Sequence, residues 1–334
     1  MDSLTQIVLG AAVAECIAGK KIGNRAILYG GILGTIPDLD VVVGSFYDIV
    51  TSNDIHRGFS HSIVFFLLAS PLLGLAFRRL ERRNALTLRE GIRMAFWCLF
   101  THALLDAFTN WGTQLFWPLE KRISLQSIFV VDPLYTLPFL FCLIMAMRLR
   151  RADPRRGRWN RLGLVLSSSY LLLTLILQTY ARQRFREALD MQDVPYTQLS
   201  VRPAPLNAIL WNANVEVEKG YLLGEYSVFD RSPITFRFFP QDRALLGPQI
   251  NSPLARQLIR MSDGWYSISK SGGKLYFNDM RFGLISEESA EPEFVFRYEL
   301  REDKGVLSAH VAESPARKEP GKLLKRLWKR MWGI

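Results

Sequence analysis

Residues 162–181 read LGLVLSSSYLLLTLILQTYA, twenty positions without one Asp, Glu, Lys or Arg. A helix of that length matches the roughly 30 Å hydrocarbon core of a bilayer. The stretch divides the chain into two materials, with several uncharged runs before it and a polar, aromatic, turn-rich sequence after it. Residues 58–77 form another uncharged run of twenty, residues 94–119 hold twenty-six positions with Asp106 as the only charge, and residues 133–147 add a shorter run. Residues 3–19 are small and apolar, with no Lys or Arg before them, so they lack the basic region of a cleavable signal peptide and belong to the mature chain. Residues 26–37 continue as a Gly-rich apolar stretch up to Asp38. The expectation is a polytopic α-helical membrane protein of about six segments over residues 1–181.

Net charge is +11, but the basic residues cluster beside apolar runs, where they act as topology signals and not as a nucleic-acid footprint. Lys20, Lys21 and Arg25 form one cluster, six arginines from Arg78 to Arg93 a second, and seven from Arg148 to Arg161 a third. Placing all three in the cytoplasm puts the N-terminus and everything after residue 181 outside. Residues 182–315 carry short alternating runs (YLLGEYSVF, WYSISKS, EFVFRYEL) broken by Asp-Gly, Gly-Gly and Pro, the pattern of strands and hairpins. A β-rich extracytoplasmic domain is expected there. Residues 316–334 form a basic amphipathic tail, with Leu323, Leu324, Leu327, Trp328, Met331 and Trp332 on one helical stripe and five Lys or Arg opposite. That spacing suits a helix lying on anionic lipid; a disordered basic tail is the plainer reading. Cys16, Cys98 and Cys142 lie in apolar segments without a C-x-x-C partner, so neither a disulfide framework nor a thiolate metal site follows.

The chemistry lies in the membrane half. His56 and His61 flank RGFS in HRGFSH, His102 and Asp106 sit one helical turn apart in HALLDAFTNWGTQ, and Asp38 and Asp40 occur in PDLD, which opens with Pro37. In an extended or irregular backbone Asp38 and Asp40 would point the same way. Each element has a structural reading: HRGFSH as a cap in which Ser60 leads into the third segment, PDLD as a helix-end turn, His102 with Asp106 as a hydrogen-bonded pair. Ionisable residues inside membrane segments are costly, however, and the expected topology brings all six to the outer face at one depth. Imidazole and carboxylate suit Zn²⁺, with Mn²⁺ or Fe as alternatives. Six ligands exceed what one tetrahedral ion needs, which favours two divalent ions and a hydroxide-generating hydrolytic centre. Asp38, Asp40, Arg57 and Asp106 are the candidate catalytic groups, Arg57 as a clamp for an anion or a lipid headgroup. Asp132 reads as a cap or a supporting residue, Gln6 and Glu15 as hydrogen-bonding groups inside the bundle, and His310 as unrelated.

The opening MDSLTQIVLGAAVAE, with GTIPDLDVV, HRGFSHS and HALLDAFTNWGTQ, resembles the bacterial YdjM-type membrane-bound metal-dependent hydrolases over about residues 1–150. PAPLNAILW with EYSVFD, and DGWYSI with NDMRFG, look like the C-terminal extension of longer members. The resemblance implies a multi-pass protein of the bacterial cytoplasmic membrane whose metal site takes Asp38, Asp40, His56, His61, His102 and Asp106. A site at bilayer depth implies membrane lipids as neighbours and an amphiphilic substrate, with phosphoesters the class two-metal centres attack. The rival reading is a non-catalytic metal-binding protein, either a transporter or an assembly factor.

Overall fold

The computed structural model describes residues 1–286, 293–303, 305–312 and 319–333. The chain divides into two units, the first formed by Met1–Phe46, Asp54–Ile176 and Pro205–Asn207, the second by Tyr47–Asn53, Leu177–Ala204 and Ala208–Ile334.

The first unit is helical. Asp2 caps α1 (Ser3–Ile22) by accepting from the Thr5 amide, and Gly23, at φ +57°, ends it. α2 (Asn24–Leu33) packs backbone to backbone on α1: a Cβ at Gly10 would lie 2.3 Å from the Gly30 carbonyl oxygen, so only glycine fits that crossing. A 3₁₀ turn (Pro37–Leu39) and the short α3 (Asp40–Gly44) follow; α4 (Ile49–Ile55) lies mostly in the second unit, and a second 3₁₀ turn (Phe59–His61) returns to the first. Ser62 caps α5 (Ile63–Leu80) by accepting from the Phe65 amide. Thr87 and Glu90 form a reciprocal capping box at the start of α6 (Leu88–Ala107), and Asp132 followed by Pro133 starts α7 (Pro133–Met147). α8 (Pro154–Met191) begins in this unit and ends in the second.

Two of these helices, α5 and α8, are long and apolar enough to cross a membrane by length and composition; α2 with the Pro37–Gly44 segment, bent by 41°, adds a third if the pair is one span. The expected six segments are therefore not supported, because capping groups cut the uncharged runs at other places than their charges do. The capping box starts α6 at Leu88, so the helix includes Arg89, Glu90 and Arg93, and it stops at Ala107, halfway along the uncharged run. α1 carries Glu15, Lys20 and Lys21. α7 has 15 residues, about 22 Å of helix against a core of about 30 Å. On α5, Leu67, Leu68 and Leu72 face outward while Phe66, Ser70 and Gly74 are buried, an inverted surface that suits lipid.

The second unit contains two four-stranded antiparallel sheets in sequential order. The first is β1 (Gln198–Pro203), β2 (Leu210–Val217), β3 (Gly220–Ser227) and β4 (Phe236–Pro240); the second is β5 (Tyr266–Ser271), β6 (Lys274–Ser286), β7 (Glu293–Asp303) and β8 (Val306–Val311). Ser271 pairs with Lys274 across the Gly272-Gly273 turn, where both glycines have positive φ, as a two-residue hairpin loop requires. α9 (Pro253–Met261) covers the second sheet, joining Leu258 and Met261 to Tyr266, Ile268, Phe277, Tyr298 and Leu300. Val50, from the inserted segment Tyr47–Asn53, is fully buried in that same core. The last element, α10 (Pro320–Met331), covers most of the basic tail, whose residues 316–318 and 334 lie outside the described residues.

Candidate metal centre

Four side chains from three parts of the first unit converge. Asp38 comes from the 3₁₀ turn after α2, His61 from the turn before α5, and His102 and Asp106 from one face of α6. One ligand atom from each lies within 4.8 Å of the other three. The His61 Nε2 atom is 3.3 Å from Asp38 Oδ1 and 3.4 Å from Asp106 Oδ2. His102 Nε2 is 3.4 Å from Asp38 Oδ1, 3.6 Å from Asp106 Oδ2 and 3.1 Å from His61 Nε2. An ion bound tetrahedrally at 2.0–2.1 Å holds its ligand atoms about 3.3 Å apart, close to these spacings. Asp38 Oδ1 and Asp106 Oδ2 are buried, and among the described residues neither accepts a hydrogen bond. Two buried carboxylate oxygens without a well-aligned hydrogen bond, facing two imidazole nitrogens and, at Asp106, the Arg57 guanidinium, have the donor types and spacing that suit a cation site.

The surrounding groups aim these ligands. His102 Nδ1 lies 2.7 Å from the Gly34 carbonyl oxygen, which turns Nε2 inward. On the far side of His61, Nδ1 is 3.0 Å from Ser60 Oγ and 3.5 Å from Asp40 Oδ2. Asp40 itself accepts from Ser60 Oγ at 2.7 Å and from the Arg57 amide at 2.9 Å, and its other oxygen is 2.7 Å from His56 Nδ1. Arg57 has φ +64°, a conformation uncommon for a side-chain-bearing residue. Its buried guanidinium lies 3.2 Å from Asp106 Oδ2 through Nε and donates to Thr109 Oγ1 at 2.9 Å through Nη1. The Gln6 amide donates to Asp106 Oδ1 at 3.0 Å, and the Met1 amino group also contacts that oxygen. Burial by itself would lower the pKa of His61, but the carboxylates of Asp106, Asp38 and Asp40 raise it to about 9, so an incoming cation must displace a proton there.

The structure thus brings Asp38, His61, His102 and Asp106 into one ligand set and pairs Asp40 with His56 beside it. The expectation that Asp38 and Asp40 point the same way does not hold: PDLD is helical, not extended, and residues two apart on a helical turn face different sides. Ser62 caps α5, which frees Ser60 to hold Asp40. Asp132 accepts from the Leu134 and Tyr135 amides and from the Tyr170 hydroxyl, as a cap for α7. Ser60 was read in the sequence only as a helix cap, and Thr109 and the Gly34 carbonyl were not singled out. Thr109 carried a signal, lying three residues beyond Asp106; the Gly34 carbonyl, 68 residues from His102, carried none.

The profile of the YdjM inner membrane protein family matches residues 1–185. The chain is also similar to the inner membrane protein YbcI of Escherichia coli K12, 31% identical over 145 residues that cover 40% of this chain and 82% of the relative. No solved structure matches. With the family profile covering more than half of the chain, including every residue of the centre, the chain belongs to the YdjM inner membrane protein family.

Proposed function

We propose that the chain is a membrane-embedded metal-dependent hydrolase in which Asp38, His61, His102 and Asp106 hold one divalent ion. The observation that carries this reading is the set of five donor spacings of 3.1–3.6 Å among these four residues. Charge points to one ion where the sequence suggested two. The three carboxylates of Asp38, Asp40 and Asp106 are balanced by Arg57 and a single dication, while burial favours the neutral form of the Met1 amine. Zinc suits two imidazoles and two carboxylates best, with Mn²⁺ and Fe as the alternatives. A dication held by these four residues would supply hydroxide from water if it took a fifth ligand on the open side.

The chain's own groups complete the site. Asp38 is the most open ligand, with 24% of its side chain exposed against 0–1% for the other three, so substrate and water reach the centre from its side. His56, 28% exposed, holds Asp40 with one nitrogen, and its ring centre lies 5.9 Å from that of His61, so it stands next to the four-residue set without joining it. Arg57 offsets the Asp106 charge and offers a cation to an anionic substrate. A centre among membrane helices suits an amphiphilic substrate, and a lipid-like phosphoester is the class we favour. Six arginines lie between residues 150 and 161, before the apolar part of α8, and three (Arg182, Arg184 and Arg186) follow it; this asymmetry supports a β-rich unit outside the cytoplasm.

The test is hydrolysis of phospholipids and soluble phosphodiesters by the full chain in lipid nanodiscs supplied with Zn²⁺ or Mn²⁺. Turnover that is lost in His61→Ala and on chelation is expected. One observation favours a second reading: four protein ligands are the pattern of a closed structural site. Bound metal without turnover on any of these substrates would favour that non-catalytic reading.

A further inference from the structure

The C-terminal helix presents two apolar rows, and only one of them is covered. Leu323, Leu327 and Met331 are half-buried, whereas Leu324, Trp328 and Trp332, spaced four apart, are 53%, 61% and 42% exposed. The helix is fixed at its C-terminal end. Arg330 forks onto Asp230 with donor distances of 2.7 and 2.6 Å, Ser227 Oγ donates to the Met331 carbonyl, and the Trp332 ring stacks on Phe229 at 5.1 Å. Trp328 meets Trp332 edge-on at 5.6 Å, and Phe229 is itself 48% exposed, so three aromatic rings form one outward patch. Lys325 and Lys329 each follow a member of the exposed row, and residues 320–333 contain five Lys or Arg and no Asp or Glu.

We propose that this face, Leu324, Trp328, Trp332 and Phe229 with the lysines beside them, docks on the surface of an anionic phospholipid bilayer. Tryptophan is suited to that boundary, because its ring is apolar and its N–H is polar, and Lys325 and Lys329 beside the exposed row are drawn to negative headgroups, while Arg330 and Lys322 are paired with Asp230 and Glu319. The ion pair and the ring stack on the β unit present the face already folded, so docking need not first order the helix. The amphipathic stripe expected from the sequence is thus divided in use, one row spent on the protein and one left for lipid. This proposal is independent of the metal centre.

Hydrogen exchange of the full chain in nanodiscs tests it. Discs of phosphatidylcholine are compared with discs containing about a third phosphatidylglycerol, whose surface charge is what the helix would sense. The amides of residues 322–333 should exchange about tenfold more slowly in the anionic discs, an effect weakened by high salt. The slowing should vanish in a Trp328→Ser, Lys325→Gln, Lys329→Gln variant whose β2 and β3 protection is unchanged. Equal exchange in the two kinds of disc would overturn the proposal. So would slowing that follows protein concentration and not lipid charge, because the occupant would then be a second copy of the chain.

Discussion

Two of the polar clusters buried in the helical unit are built to opposite rules. In one, Arg156 donates through Nε and Nη2 to the two oxygens of Glu15, both at 2.6 Å, and through Nη1 to Asn24 and to the Leu149 carbonyl. That pair is closed on itself. In the other, Asp38 and Asp106 each keep a buried oxygen that accepts no hydrogen bond among the described residues, and two imidazole nitrogens face each other at 3.1 Å. The first cluster joins α1 to α8 and needs nothing further; the second keeps four ligand atoms within 4.8 Å of one another, spaced so that they could hold a cation. Where a buried ion pair uses all its hydrogen-bonding atoms it reads as architecture, and where ligand atoms converge with bonds left unmade it reads as a candidate binding site.

The two should therefore fail differently. Arg156→Leu leaves Glu15 buried without a partner and should cost about 3–5 kcal/mol of stability. A melting curve in detergent measures this, and the metal content of the chains that stay folded should not change. His61→Ala should do the reverse, weakening metal affinity at least a hundredfold, about 2.7 kcal/mol, while the melting point of the metal-free protein falls much less. A competition titration reads the affinity. If His61→Ala unfolds the protein and leaves affinity intact, the two clusters are alike and the distinction fails.

Finer tests act on the groups behind the ligands. Asp40→Asn keeps the size of the side chain that orients His61 but loses its charge, and should weaken metal binding about 10-fold to 100-fold. pH should act in the same direction. His61 has its pKa raised to about 9, so below that pH the ion must expel a proton, and affinity should fall by about tenfold for each unit of acidification. A metal titration from pH 6 to 8 shows the slope, and a flat profile would mean that His61 is not a ligand.

The sequence made much of this centre legible. His102 and Asp106 share a helix face because they are four apart, and HRGFSH and PDLD stood out as ionisable residues beside apolar runs. The division between a helical membrane unit and a β-rich unit was also visible, from the change of period near residue 181. The number of spans was not, because an uncharged run shows where charges are missing and not where a helix starts and stops. Thr87 with Glu90 begins α6 six residues before the run, and the chain leaves the helix after Ala107 with half of the run still to come. The division between Asp38 and Asp40 depended on whether PDLD is extended or helical, and Pro37 followed by two aspartates is compatible with either. The partner of His102 is a backbone carbonyl, which no residue type announces.

X-ray absorption at the edge of the bound metal, on the full chain purified after metal-supplemented growth, reads out whether these four side chains hold an ion. A first shell of four nitrogen or oxygen ligands at about 2.0–2.2 Å is expected. The outer-shell scattering of two imidazoles is expected with it, falling to one or disappearing with the metal in His61→Ala. A protein that retains no metal, or a metal shell with no imidazole in it, would contradict the claim.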